Sequence, residues 1–208
     1  MLPSIERALE EIKIAGQLNP GPWTKHSENV GIAARNIADK IPEMDSEKAY
    51  IVGLLHDIGR RVGIVNIPKH VYEGYLYCME NNWDEAAQVC MTHSYPLMEK
   101  EFQFDPEDLE MQEIKKYILS CKPNDYDLLI QLCDSVAVDY GFCILEKRFT
   151  DVARRYGISN HSVDRWNATF AIKEYFESKM DCSIYDVLPN IGTTTLLCPP
   201  PWKPSDKA

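Results

Sequence analysis

The stretch "SEKAYIVGLLHDIGR", residues 46–60, opens on a serine able to cap a helix, runs through an apolar segment and breaks at Gly59. Ile51, Val52, Leu54 and Leu55 predict a buried helix, yet the run ends on His56 and Asp57, both costly to bury. A His-Asp dipeptide is a weak signal on its own, so its neighbours must decide what it means. Working outward, period and caps predict helices almost throughout. The first follows Ser4, with Ile5, Leu9 and Ile12 on one face, and stops near Gly16; the second runs from about Thr24 to Lys40. After a loop over "RRVGIVNIP", helices are expected from Lys69 to Glu80, Asp84 to His93, Glu107 to Cys121 and Asp125 to about Asp139. Two more are expected from Ile144 to Tyr156 and from Ser162 to Met180. Strand signals are scarce. The expected fold is all-α, a compact helical bundle.

The 208 residues are 45% apolar, enough for a substantial core, and no repeat or linker divides them. One domain over residues 1–190 is expected, followed by a proline-rich tail over 191–208, whose "LLCPPPWKPSDKA" cannot be helical. A net charge of -10 repels a phosphate backbone, and no basic stripe offsets it, so polymeric nucleic acid is an unsuitable partner. The seven cysteines are scattered, without CxxC spacing, and read as small buried residues of a reducing compartment. The N-terminus carries acids through its apolar stretch, and no run of eighteen apolar residues occurs. A soluble cytoplasmic protein without a membrane partner is expected; its oligomeric state is left open.

The histidines lie where helices meet the core. His26 shares a stripe with Val30, Ala33, Ala34 and Ile37; His56 lies one turn after Val52; His70 opens a helix and His93 closes the next. Asp134, in "LLIQLCDSVAV", is an acid inside an apolar helix, aligned with Ile130 and Val138. Taken singly, a histidine at a helix start is more often an ordinary hydrogen-bonded residue, and a buried acid more often a cap or an arginine partner. Together, six such donors would cost several kcal/mol each if unsatisfied, and a cation satisfies them at once. His161, in the polar "GISNHSVD", has no such setting.

The order His26, His56-Asp57, His70, His93, Asp134 resembles the HD superfamily of metal-dependent hydrolases, with its pattern H…HD…D and the six-donor version H…HD…H…H…D. The resemblance covers about residues 23–138, in which "KHSENVGIAARNIADKI" and "AYIVGLLHDIGR" are similar to the first two motif helices. It implies a bundle with a central metal held by His26, His56, Asp57 and Asp134, with His70 and His93 completing a second position, which is expected to bind more weakly because it has fewer dedicated protein donors. The cyclic-dinucleotide phosphodiesterases of the HD-GYP type carry a longer HHExxDGxGYP stretch where this chain has only "THSYP", which speaks against that substrate. The lysine often found after "HDIG" is Arg60 here, which keeps the cation and adds a fork suited to phosphate.

The function implied is a metal-dependent phosphohydrolase of a small phosphorylated metabolite, such as a nucleotide or related phosphoester. A divalent metal lowers the pKa of its water from 15.7 to about 7. One or two ions (iron, manganese, cobalt, nickel or zinc) suit the donors, with Asp57 as the catalytic, bridging carboxylate. Arg60, Arg61, Lys25 and Lys69 are the candidates for holding substrate phosphate. Two other readings stay open. One is a di-iron centre that cleaves a carbon bond with O₂, and the other is a non-catalytic metal-binding sensor.

Overall fold

In the computed structural model, residues 1–63, 67–96 and 108–197 are described, and the all-α expectation holds among them. Helices α1 (Ile5–Leu18), α2 (Trp23–Ala38) and α3 (Ser46–Leu55) lead into a 3-10 turn at Ile58–Val62. Helices α4 (Ile67–Glu80), α5 (Asp84–Thr92), α6 (Leu109–Ser120) and α7 (Asp125–Val136) follow. A two-residue hairpin, β1 (Ala137–Val138) and β2 (Gly141–Phe142), pairs Ala137 with Phe142. Then come α8 (Leu145–Tyr156), α9 (Ser162–Met180), a 3-10 turn at Ile184–Val187 and α10 (Ile191–Leu196).

Helix α3 explains the layout. Beyond its first turn it has no polar face, so it must be surrounded. Val52 and Ala49 join a core with Val30 and Ile37 of α2, Leu129 and Leu132 of α7 and Phe176 of α9. Leu54 and Leu55 join a second core with Ile12 of α1, Cys78 of α4 and Ala87 of α5. A third core, with Val71, Met91 and Ile114, seats α6. Helices α2 and α3 approach closely because Gly53 faces Gly31; a Cβ on Gly53 would lie 2.7 Å from Gly31 Cα. Whatever follows Leu55 is therefore delivered to the middle of the molecule.

Several local expectations are corrected. Asp45, not Ser46, caps α3: its Oδ1 accepts from the backbone N–H groups of Glu47 and Lys48 at 2.9 and 3.0 Å. Asp45→Ala is expected to cost about 1 kcal/mol in urea denaturation, with Ser46→Ala nearly silent. The α3 helix ends at Leu55, and Arg60 to Val62, expected as loop, lie in the 3-10 turn; residues 64–66 lie outside the described residues. The expected helix start at Glu107 also falls outside them, and α6 begins after Asp108, whose carboxylate accepts from Met111 N. Helix α7 stops at Val136 because the hairpin takes over the next residues. On α1, Leu9 is exposed, and Ala8, Glu11, Ile12 and Ala15 form the buried stripe. Residues 191–196, placed in the tail, form α10, held where Thr194 Oγ1 donates to Phe142 O. Residues 198–208, with the four prolines of the tail and Cys198, lie outside the described residues. The other six cysteines are free thiols, and no described helix is long and apolar enough to cross a membrane.

Candidate metal centre

His56 is the cap residue that follows α3, and its ring is fixed by the last turn of that helix. Its Nδ1 lies 2.7 Å from Gly53 O. A carbonyl can only accept, so Nδ1 carries the proton and Nε2 presents a lone pair. His93 ends α5 in the same way: Nδ1 lies 2.9 Å from Cys90 O, leaving the Nε2 lone pair to face inward. Burial lowers the pKa of both imidazoles, that of His93 to about 3, so both are neutral at pH 7.

Asp57 sits among them, 3% exposed. Its Oδ1 lies 3.1 Å from His70 Nε2 and 3.6 Å from His93 Nε2, and these two nitrogens are 3.3 Å apart. Nevertheless, Oδ1 receives no hydrogen bond among the described residues. Its Oδ2 accepts from Arg60 Nε at 2.5 Å and lies 3.8 Å from His56 Nε2. Burial alone would raise the Asp57 pKa, but the imidazoles of His70 and His56 and the Arg60 guanidinium hold it well below the usual carboxylate range. The carboxylate is ionised. On the outer side, His26 Nε2 is hydrogen-bonded to Asp134 Oδ1 at 2.9 Å, and His56 Nε2 is 4.0 Å from the same oxygen. Burial opposes ionisation of Asp134 as well, but His26, His56 and His93 outweigh it and lower its pKa.

All six expected donors thus converge, from α2, α3 and its C-terminal turn, α4, α5 and α7. Lone pairs of His56, His93 and Asp57 face one another in a buried space, an arrangement that repels unless a cation lies between them. His26, His56 and Asp134 form one group with metal-ligand spacing, and His56, Asp57 and His93 form another. With an unsatisfied carboxylate oxygen at their meeting point, these residues fit a divalent cation. Nitrogen and carboxylate donors together suit a first-row metal or zinc.

Residues 2–94 match the HDOD domain family. The HDOD domain is an HD-related helical domain. Its match covers α1 to α5 and five of the donors, His26, His56, Asp57, His70 and His93, whereas Asp134 lies beyond it on α7. No curated protein and no solved structure matches the chain.

Within the matched segment the four basic residues expected to hold phosphate part company. Arg60 reaches the centre through Asp57. Arg61 turns the other way: Nη1 pairs with Glu11 Oε2 at 3.1 Å and the guanidinium stacks 3.7 Å above the Tyr77 ring. Glu11, also held by Arg7 and Tyr77, is a fully buried acid on the α1 stripe, legible from its spacing to Ala8 and Ala15 but overlooked. Lys25 pairs with Glu28 at 2.6 Å on an exposed face, and Lys69 lies 3.6 and 3.4 Å from Glu73 and Glu110. Two supports carry no sequence signal. Asn19 Nδ2 donates to Arg60 O and Gly63 O at 2.6 and 2.9 Å, pinning the 3-10 turn, and Arg165 Nη2 donates to Ser94 O at 3.0 Å, beside His93.

Proposed function

We propose that the protein is a metal-dependent hydrolase of a small phosphorylated compound. The observation that carries this reading is the unsatisfied Asp57 Oδ1, enclosed beside two imidazole nitrogens at 3.1 and 3.6 Å. A divalent cation bound there supplies Lewis acidity and lowers the pKa of water from 15.7 to about 7. The chain's own groups do the rest. Gly53 O and Cys90 O fix the tautomers of His56 and His93, so that their lone pairs are presented without reorganisation. Asp57 stays anionic and supplies the charge at the centre. Arg60, with a side chain 33% exposed, reaches from Asp57 toward solvent with two further donor nitrogens suited to a phosphoryl group.

The site is closed on one side and partly exposed on the other. His56, Asp57, His70 and His93 are buried, whereas the side chains of His26 and Asp134 keep 13% and 29% of their exposure. A purely structural ion is closed in by protein ligands, and an accessible edge favours catalysis.

The test is metal analysis of protein purified without chelator, followed by a screen of phosphate release from nucleotides and other small phosphomonoesters and diesters under each divalent metal. Bound metal and metal-dependent release that chelation removes and metal restores are the expected outcome. Tight metal binding without turnover on any phosphoester would assign the centre to structure or sensing, and protein that takes up no divalent metal would overturn the reading.

A further inference from the structure

The six donors differ in how ready they are. Asp57 Oδ1, His70 Nε2 and His93 Nε2 lie 3.1, 3.6 and 3.3 Å from one another, in residues no more than 3% exposed. Donors held about 2.1 Å from a cation are about 3.4 Å apart in a tetrahedron and about 3.0 Å apart as octahedral neighbours. This inner trio already has ligand spacing. The outer group is wider and partly occupied: His56 Nε2 is 4.0 Å from Asp134 Oδ1 and 3.8 Å from Asp57 Oδ2, and the Asp134 oxygen is taken by His26.

The oxygen that faces the outer group is also taken. Arg60 Nε donates to Asp57 Oδ2 at 2.5 Å, a charge-assisted bond in a mostly buried setting. A cation that uses this oxygen must displace Arg60, and a guanidinium leaves a buried carboxylate readily only when another anion receives it. Arg60 is suited to such an exchange. Its Nε bond to Asp57 is its one side-chain hydrogen bond among the described residues, its side chain is one-third exposed, and its fork matches the oxygens of a phosphate.

We propose that Arg60 stands in for the second cation. The protein then holds one divalent ion between Asp57, His70 and His93, and takes a second beside His26, His56 and Asp134 only with a phosphate-class anion that draws Arg60 off Asp57. This rests on the hydrolase reading and deepens it: the phosphoryl group of the substrate completes its own site. It also reverses the expected order, in which His70 and His93 held the weaker ion, because the inner trio is the preformed one. Linkage makes the effect reciprocal, so the anion strengthens binding of the second cation by the same factor as the cation strengthens binding of the anion.

Equilibrium dialysis of the full chain against Mn²⁺, with and without inorganic phosphate, tests the proposal, with electron paramagnetic resonance reporting whether bound ions are neighbours. The wild-type protein is expected to bind about one Mn²⁺ alone and about two with phosphate, which tightens the second ion on the order of 10-fold or more. Arg60→Gln removes the competing charge and is expected to bind about two in both conditions. Two ions in wild-type protein without phosphate, or one regardless of phosphate, would overturn the proposal and leave the hydrolase reading standing. Absence of Mn²⁺ binding in every arm, with the other divalent metals equally unbound, would remove both. The wild-type arms decide the matter even if the variant folds poorly.

Discussion

Asp57→Ala is expected to remove the inner cation and to slow phosphate release on the order of 10³-fold or more, the scale seen when a group that holds charge at a reacting centre is deleted. Asp57 is where three of the other five donors meet: His70, His93 and His56 converge on its two oxygens, and Arg60 pairs with it. Asp57→Asn separates charge from shape, because the amide fills the same space without the anion. Thermal unfolding with and without Mn²⁺ gives a readout independent of turnover. At about 100 times the dissociation constant a ligand specific for the folded state stabilises it by about 2.7 kcal/mol, and both variants are expected to lose that gain. An Asp57→Asn protein that keeps the Mn²⁺-dependent rise and its turnover would show that the ion is held elsewhere.

Gly59→Ala is expected to be the most damaging small substitution. A Cβ at that position would lie 2.0 Å from His70 O and 2.4 Å from Gly74 N, and both contacts are backbone atoms that no rotamer change can relieve. Helix α4 would have to move away from the 3-10 turn as a body. Overpacking of a core commonly costs 1–3 kcal/mol, and a backbone clash of this depth lies at or above the upper end, about 3 kcal/mol or more. The site suffers with the fold, because α4 carries His70, whose Nε2 must stay near Asp57 Oδ1. Urea denaturation and Mn²⁺ stoichiometry measured together check this. Gly192→Ala on α10, where an added Cβ meets nothing within 4 Å, is the control expected to stay within about 1 kcal/mol of wild type. A Gly59→Ala protein as stable and as well loaded with Mn²⁺ as that control would show that α4 is not held by this contact.

The local sequence carried the helical class, the central position of α3 and the inward direction of His26, His56 and Asp134, because a helix repeats every 3.6 residues and its buried face can be counted along the chain. The grouping of His26, His56, Asp57, His70, His93 and Asp134 as one site came from their order and from the resemblance it supports. Pairing among them was decided only in three dimensions. His26 meets Asp134 across 108 residues, and the orphaned oxygen of Asp57 exists only because α4 and α5 bring two imidazoles to it. The fate of the basic residues was equally tertiary. Arg60 and Arg61 are adjacent, but successive side chains of a 3-10 turn diverge by about 120°, so one reaches Asp57 and the other the buried Glu11. The chain's periodicity sets which way a side chain leaves its own helix; what it meets is set by how closely the helices pack, and here two glycine contacts, Gly53 on Gly31 and Gly59 on α4, fix that distance.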